Sequence, residues 1–315
     1  MIRPTCNIKI NDFEFDFLNE LELVSAWKNL TDTGTLRIPR KIKLGGKTLV
    51  AGSNNLFKRG DKVEISLGYY PESARVFTGF VSAILPESPL VIQLEDAAYL
   101  FKQESLTVSY KETTLKQLLT DVCPIEFVSV EANLGGFRIS NANFAQVLNE
   151  LKKTYGLTSW VRNSVLYCGL AYFPETSITH ELVFQRGVID NSLEYMREDD
   201  VKIMVKAISI FGDNSKIEVE VGDPQGSQRT LTYYGLNESD LRATAERELP
   251  KLRFEGYRGA LTTFGTPTIN HGDTIELTDL KFPERGGEYL VDEVTTTQGL
   301  SGYRQKIVLG AKVST

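Results

Sequence analysis

The stretch RGDKVEISLGYYPESARVFTGFV, Arg59 to Val81, returns in outline near the far end of the chain as HGDTIELTDLKFPERGGEYLVDEV, His271 to Val294. Each copy opens on Gly-Asp, enters a strand of alternating apolar residues and reaches a second strand a similar distance on. A Gly-Asp at the head of a strand has a physical reason. Glycine admits a positive φ, and an aspartate side chain can bond to nearby backbone and pin the turn. Gly60-Asp61 and Gly272-Asp273 stand 212 residues apart, and in that register Val63 matches Ile275 and Ile65 matches Leu277. The next strand matches with a shift of one, Val81 on Val294. The reading is a duplicated β-barrel, with Gly60, Asp61, Gly272 and Asp273 as the repeated turns.

Outward from these copies, the chain from Thr5 to Lys102 consists of short alternating runs broken by Asn-Asp, Thr-Gly, Gly-Gly and Gly-Asp turns, the pattern of a barrel or sandwich. The period then changes. Leu115, Leu118, Leu119 and Val122 fall on one helical stripe that Thr113 or Thr114 can cap, and Phe144, Val147, Leu148 and Leu151 fall on a second, with Asn143 as N-cap and Gly156 as stop. Asn163-Ser164 predicts a hairpin that sets Trp160 opposite Tyr167. Alternation resumes after Pro174, interrupted by a helix that starts near Asn237 with Asp240 three residues on. The fold class expected is mainly β with small α+β insertions: a first β-barrel over 1–107, a small α/β domain over 108–172, and a second β-rich barrel over 173–315 carrying one helix at about 237–252.

A chain of 315 residues is long for one ordinary core, and 41% hydrophobic with 24% charged residues excludes disordered, collagen-like and coiled-coil designs. The formal charge of -6 gives no general electrostatic reason to bind nucleic acid or an anionic membrane. The opening MIRPTCNIKINDFEFDF lacks the apolar run of a secretory signal, and no segment has the length of a membrane helix, so cytoplasmic synthesis is expected. Cys6, Cys123 and Cys168 are too widely spaced to encode a disulfide framework or a metal knuckle.

The run NNLFKRGDKVEISLGYY (Asn54–Tyr70), then VFTGFVSAI, LVIQLEDAAYLFKQE and TLKQLL, and later HGDTIELTD with GEYLVDEVTTTQGLSGYRQKIVLG, resembles the phage late control D and baseplate hub family. That family includes the tail hub of Mu-like phages and the hub portion of type VI secretion spike proteins. The resemblance implies two related β-barrels with smaller inserted domains, assembled as a homotrimer whose six barrels form a pseudo-sixfold ring. Such a ring joins a hexameric tail tube to a trimeric spike. The implied partners are further copies of the chain, the tail tube protein, the spike protein and other baseplate proteins. The expectation is that DNA can pass the channel without specific binding and that no membrane is involved. The implied place is a virion tail or injection device, made in the bacterial cytoplasm. Spike proteins of type VI systems continue into a further barrel and a β-helical needle, whereas this sequence ends at Thr315, so the resemblance implies a separate spike.

Enzyme readings find little to rest on. His180 and His271 are the two histidines, and lone histidines in strand-edge or turn positions are more often structural than catalytic. His271 and Asp273 lack a nucleophile elbow in the sequence, and no metal, nucleotide or dinucleotide motif occurs. Glu198-Asp199-Asp200 is the densest carboxylate run, and a solvated turn is its simpler meaning. No catalytic, cofactor-binding or metal residue is assigned, and no cofactor is expected. The runner-up is a carbohydrate-binding or peptidoglycan-degrading tail-associated protein, using Trp160, Tyr167 or the Tyr69-Tyr70 and Tyr233-Tyr234 pairs as sugar platforms. Core or interface packing is the commoner use of such aromatics.

Overall fold

The computed structural model describes residues 3–44, 47–50, 56–169, 172–173, 177–197, 200–211, 215–253 and 255–313. The first unit contains β1 (Pro4–Ile10), β2 (Phe13–Phe15), β3 (Glu20–Ala26), β4 (Thr33–Ile38), β5 (Lys41–Leu44), β6 (Lys47–Val50), β7 (Lys62–Tyr69), β8 (Glu72–Leu85) and β9 (Leu90–Glu95). Alternation decides which face of each strand is buried. Ile8, Leu21, Leu36, Ile65, Val81 and Ile92, from six different strands, share one apolar cluster, so the sheet is rolled around a single interior. Its strand order is β3-β4-β9-β8-β7-β1-β2, with β5–β6 a separate hairpin.

A 3-10 turn at Ala97–Lys102, capped by the Asp96 side chain accepting from Ala98 N–H, leads into the second unit. There follow β10 (Ser105–Thr114), α1 (Leu115–Val122), β11 (Phe127–Ser129), β12 (Asn133–Asn143), α2 (Phe144–Tyr155), β13 (Thr158–Arg162) and β14 (Val165–Gly169). Thr114 caps α1 by accepting from Gln117 N–H. Asn143 and Gln146 cap α2 reciprocally, and Gly156 ends it in the left-handed region at φ 69°. Asn163 and Ser164 both have positive φ, as a two-residue turn matched to strand twist requires. Leu115, Leu118, Leu119, Val147, Leu148 and Leu151 form the core of this unit, and it reaches back to take in Ala97 and Phe101.

The remainder contains β15 (Thr179–Val183), α3 (Phe184–Gly187), β16 (Val188–Met196), β17 (Ile203–Ile210), β18 (Lys216–Gly222), β19 (Ser227–Tyr234), α4 (Glu238–Leu252), β20 (Gly256–Phe264), β21 (Thr274–Thr278), β22 (Gly287–Gly299) and β23 (Gly302–Lys312). Its apolar residues divide into two clusters. Leu261, Ile275, Leu277, Val291, Val294 and Ile307 make the core of a second rolled sheet. Val201, Val205, Val219, Leu241 and Ala245 make a separate core where α4 covers the three-stranded sheet β18-β17-β19. In sequence, the alternation of β17 and β18 looks like that of barrel strands, so this inserted unit does not announce itself. The chain is mainly β with small α+β insertions, as the sequence predicts. The two rolled sheets are one continuous sheet, because the later part of β22 pairs with β3, from Glu293 opposite Ala26 to Gln298 opposite Leu21.

Candidate functional site

The repeated turns use the same four backbone and side-chain bonds. Gly60, at φ 90°, donates its N–H to the Val81 carbonyl at 2.8 Å, and Val81 N–H donates to the Asp61 carbonyl at 2.9 Å. Asp61 N–H reaches the Lys58 carbonyl at 3.1 Å, while Lys58 N–H donates to the Asp61 carboxylate at 2.7 Å. In the second copy Gly272, at φ 80°, donates to the Val291 carbonyl at 2.7 Å, and Val291 N–H donates to the Asp273 carbonyl at 2.9 Å. Asp273 N–H reaches the Asn270 carbonyl at 3.2 Å, and Asn270 N–H donates to the Asp273 carboxylate at 2.9 Å.

The correspondence continues along the strands. Val63 lies opposite Gly79 as Ile275 lies opposite Tyr289. A bulge separates Val81 from Ala83, and another separates Val291 from Glu293. Ile84 then faces Ile92 as Val294 faces Ile307. The partner of Val81 is therefore Val291, not the Val294 of the sequence match. The second hairpin is two residues shorter, and the bulge turns both Val291 and Val294 inward, so sequence alone offers two equally apolar candidates. One strand departs from the repeat: β1 runs antiparallel to β7, whereas β15 runs parallel to β21.

The surroundings of the two turns also differ. Asp61 is partly exposed, while Asp273 is 0% and His271 1% exposed. The second turn is therefore enclosed within the chain, whereas the first is open on one side. Asp273 faces Arg162 of the hairpin β13–β14 at 3.6 Å and His180 of β15 at 3.1 Å. Arg162 also donates to the His271 carbonyl and lies over the Trp160 ring. This joins the second unit to the second barrel.

On the other side, the Ser25 hydroxyl lies 2.5 Å from Asp32 Oδ2 and 2.7 Å from His271 Nδ1. Asp96 accepts from Asp32 N–H at 3.0 Å. Three units thus meet in one buried polar cluster. Burial pushes the Asp32 carboxyl up to about 7, against the bonds from Ser25 and Ala26 and the Arg162 charge. Burial and the neighbouring Asp32 hold Asp96 well above the usual carboxylate range. Burial, reinforced by Arg162, lowers His271 to about 3, so its imidazole is neutral. Ser25 is 246 positions from His271 and carries no motif, so sequence reasoning had no signal for it.

This arrangement is not a hydrolase relay. In a relay the carboxylate orients the imidazole through its second nitrogen, leaving the serine free to attack. Here the carboxylate binds the serine itself, and His271 Nε2 meets no hydrogen-bond partner among the described residues. The cluster ties strands together through the bonds of Ser25, Asp32 and Arg162 and a T-shaped contact between Trp160 and His271.

Other sequence candidates fall elsewhere. Trp160 and Tyr167 stack at 4.4 Å, but Trp160 is 0% exposed and belongs to the interior. Tyr69 donates to the Tyr303 carbonyl, whereas Tyr70 is 75% exposed at the β7–β8 tip. Tyr233 packs on the inserted core. The Tyr234 side chain and Glu198 and Asp199 lie outside the described residues. Cys6, Cys123 and Cys168 are free, and burial pushes each thiol up to about 11, far from a reactive thiolate. Among the described residues no cluster of three His, Cys, Asp or Glu could hold a metal, and no helix is long and apolar enough to cross a membrane.

The fold defines a class: tandem rolled β-sheets with inserted units, an architecture shared with solved phage tail and type VI secretion proteins. A tail protein from Neisseria meningitidis superposes over 99% of this chain and 97% of its own at TM-score 0.66 and 16% identity. The 43 kDa tail protein of prophage MuSo2 from Shewanella oneidensis matches over 98% of both chains at TM-score 0.62 and 16% identity. An Escherichia coli component of the type VI secretion system, described as similar to bacteriophage T4 tail proteins gp27 and gp5, matches over 98% of this chain and 77% of its own at TM-score 0.60 and 10% identity. No family model and no curated protein matches the sequence.

Proposed function

We propose that this chain is a structural baseplate hub of a phage, prophage or phage-like injection device. Three copies would form a pseudo-sixfold ring that joins a hexameric tail tube to a trimeric spike, with other baseplate proteins around it. The observation that carries this reading is the repeat itself. Two barrels share the Gly-Asp turn, strand register and bulge, and they are already joined edge to edge by β22 and β3. Two near-equivalent modules per chain are what a threefold object needs to meet a sixfold one, and closed cyclic symmetry is the usual way to use them.

The mechanism is geometric and requires no catalysis. The likeness to tail and secretion components supports this role, and the buried state of Trp160 weakens the carbohydrate-binding alternative. With a net charge of -6 the ring would let DNA pass without holding it. The test is native mass over a range of concentrations, with and without purified tube and spike proteins. A species near three times 35.3 kDa that binds tube rings supports the proposal. A chain that stays monomeric in the presence of tube and spike rejects it.

A further inference from the structure

The joint between β22 and β3 occurs once among the described strands, yet the repeat supplies its two edges twice. β8 is the counterpart of β22, by the shared turn, bulge and register. β16 is the counterpart of β3, because Leu193 faces Gly259 of β20 as Leu23 faces Gly34 of β4. β22 has β23 along one side. On the other side it has β21 as far as Leu290 and then β3 from Glu293 onward. β8 has β9 on one side and β7 on the other as far as Phe80. Beyond Val81, no described strand takes the edge that β3 takes on β22. β16 pairs only with β20 among the described strands.

A strand edge without a partner is a template for another strand. These two vacant edges are the two halves of a joint that the chain already makes once, and they lie on different barrels. A self-complementary contact would set β16 against β16. The internal joint instead sets a β3-type edge against a β22-type edge, which is a head-to-tail arrangement.

We infer that β8 of one protomer pairs antiparallel with β16 of the next copy of this chain, Ala83 opposite Met196, Ile84 opposite Tyr195 and Leu85 opposite Glu194. This register repeats Glu293 opposite Ala26, Val294 opposite Ser25 and Thr295 opposite Val24. The pairing deepens the hub reading, on which closure into a ring rests. The seam is shorter than the internal joint because Pro86 has no N–H to offer and β8 ends at Leu85. A short edge closed by proline also resists recruiting arbitrary strands. Leu85 is 36% exposed in the single chain, and Ile84 packs on the first core as Tyr195 packs on the second, so the inward faces would continue across the seam. When each step repeats the internal joint, barrels follow one another by the same rotation, and in the ring of the hub reading their number is even, two per chain.

The experiment uses the full chain carrying Leu85→Cys and Glu194→Cys, both at exposed positions. Directly opposed antiparallel residues have Cα atoms about 4.5–5.5 Å apart, within disulfide reach. Mild oxidation should link protomers into a ladder that ends at one closed size, while each single variant stays unlinked. Leu85→Cys combined with Asn191→Cys, out of register, should link at least tenfold less. An oligomer by native mass whose in-register cysteines stay unlinked overturns the seam and leaves the hub reading standing. In-register links that close at a size other than three chains support the seam and reject the trimeric hub. A folded chain that neither associates nor links at any concentration overturns the seam.

Discussion

The two repeated aspartates should differ sharply in what they stabilise, and replacing each by alanine measures that difference. At Asp61 the substitution removes one side-chain bond, from Lys58 N–H at 2.7 Å, in a partly exposed turn. A single bond of that kind is worth about 1 kcal/mol. At Asp273 it removes the bonds from Asn270 N–H at 2.9 Å and Ile178 N–H at 3.4 Å, and the partners His180 at 3.1 Å and Arg162 at 3.6 Å. The site is fully buried, so the Arg162 guanidinium loses its nearest carboxylate inside the protein. Breaking a buried ion pair from one side costs about 3–5 kcal/mol.

Hydrogen exchange at Val81 and Val291, the amides that close the two turns, reads the effects separately. A loss of 3 kcal/mol speeds exchange by about a hundredfold, and 1 kcal/mol by about fivefold. Asp273→Ala should therefore speed Val291 by about a hundredfold or more and leave Val81 nearly unchanged. Asp61→Ala should speed Val81 by about fivefold. Combining Asp273→Ala with Arg162→Met removes both members of the pair, and the double variant should lose less than the two single losses added together. Equal effects of the two alanine variants, or strict additivity in the double variant, would refute the claim that the second turn acts as an electrostatic anchor.

Asp32→Asn should cost less stability at pH 8 than at pH 5. The folded carboxyl keeps its proton to about pH 7 while the unfolded one releases it near pH 4, so its stabilising contribution is complete below the unfolded value and is lost as pH rises through 7. His271 acts in the opposite sense, losing stability as pH falls from about 6.5 toward 3, and does so in both proteins. Melting temperatures of both proteins across pH 5 to 8 test this, and a gap that widens with pH contradicts it. Asn143→Ala removes the reciprocal cap of α2, with bonds of 2.9 and 3.0 Å, and should cost about 1 kcal/mol in urea unfolding. Gly79→Ala would place a methyl 2.1 Å from the Glu95 carbonyl oxygen, between β8 and β9, and should cost about 3 kcal/mol. A neutral Gly79→Ala in the same measurement would show that this strand crossing can relax.

The elements legible in the sequence are those set by local chemistry. The caps at Thr114 and Asn143, the stop at Gly156 and the Asn163-Ser164 hairpin each depend on a few adjacent residues, and each forms where the pattern puts it. The Gly-Asp repeat was legible for the same reason, since the turn is built within four residues. The strand after it aligns one way in sequence and another in the structure because a bulge is invisible in composition: it changes which face a residue occupies without changing residue type. The inserted unit was hidden because strand alternation does not say which core a strand serves. The joint of Ser25, Asp32, Arg162 and His271 draws on three units, and nothing local to Ser25 anticipates its partners.

The two barrels share their turn, register and bulge, and they differ where the inserted units meet them. The hairpin β13–β14 lies against the second turn and turns a solvent-facing aspartate into a buried one, which then needs Arg162 and His180 as partners. No counterpart of that hairpin covers Asp61 among the described residues, so the first turn keeps only the bonds made within the turn and to Val81. The bulges diverge in the same way. Ser82 occupies the first, whereas Asp292 in the second accepts from Trp27 Nε1 at 3.1 Å and from the Tyr172 hydroxyl. The first change ties the second turn to the hairpin β13–β14 and to β15, and the second adds bonds beside the joint of β22 and β3. In the proposed ring, bonds beside the internal joint would hold the angle between a chain's own barrels while the edges at β8 and β16 meet its neighbours.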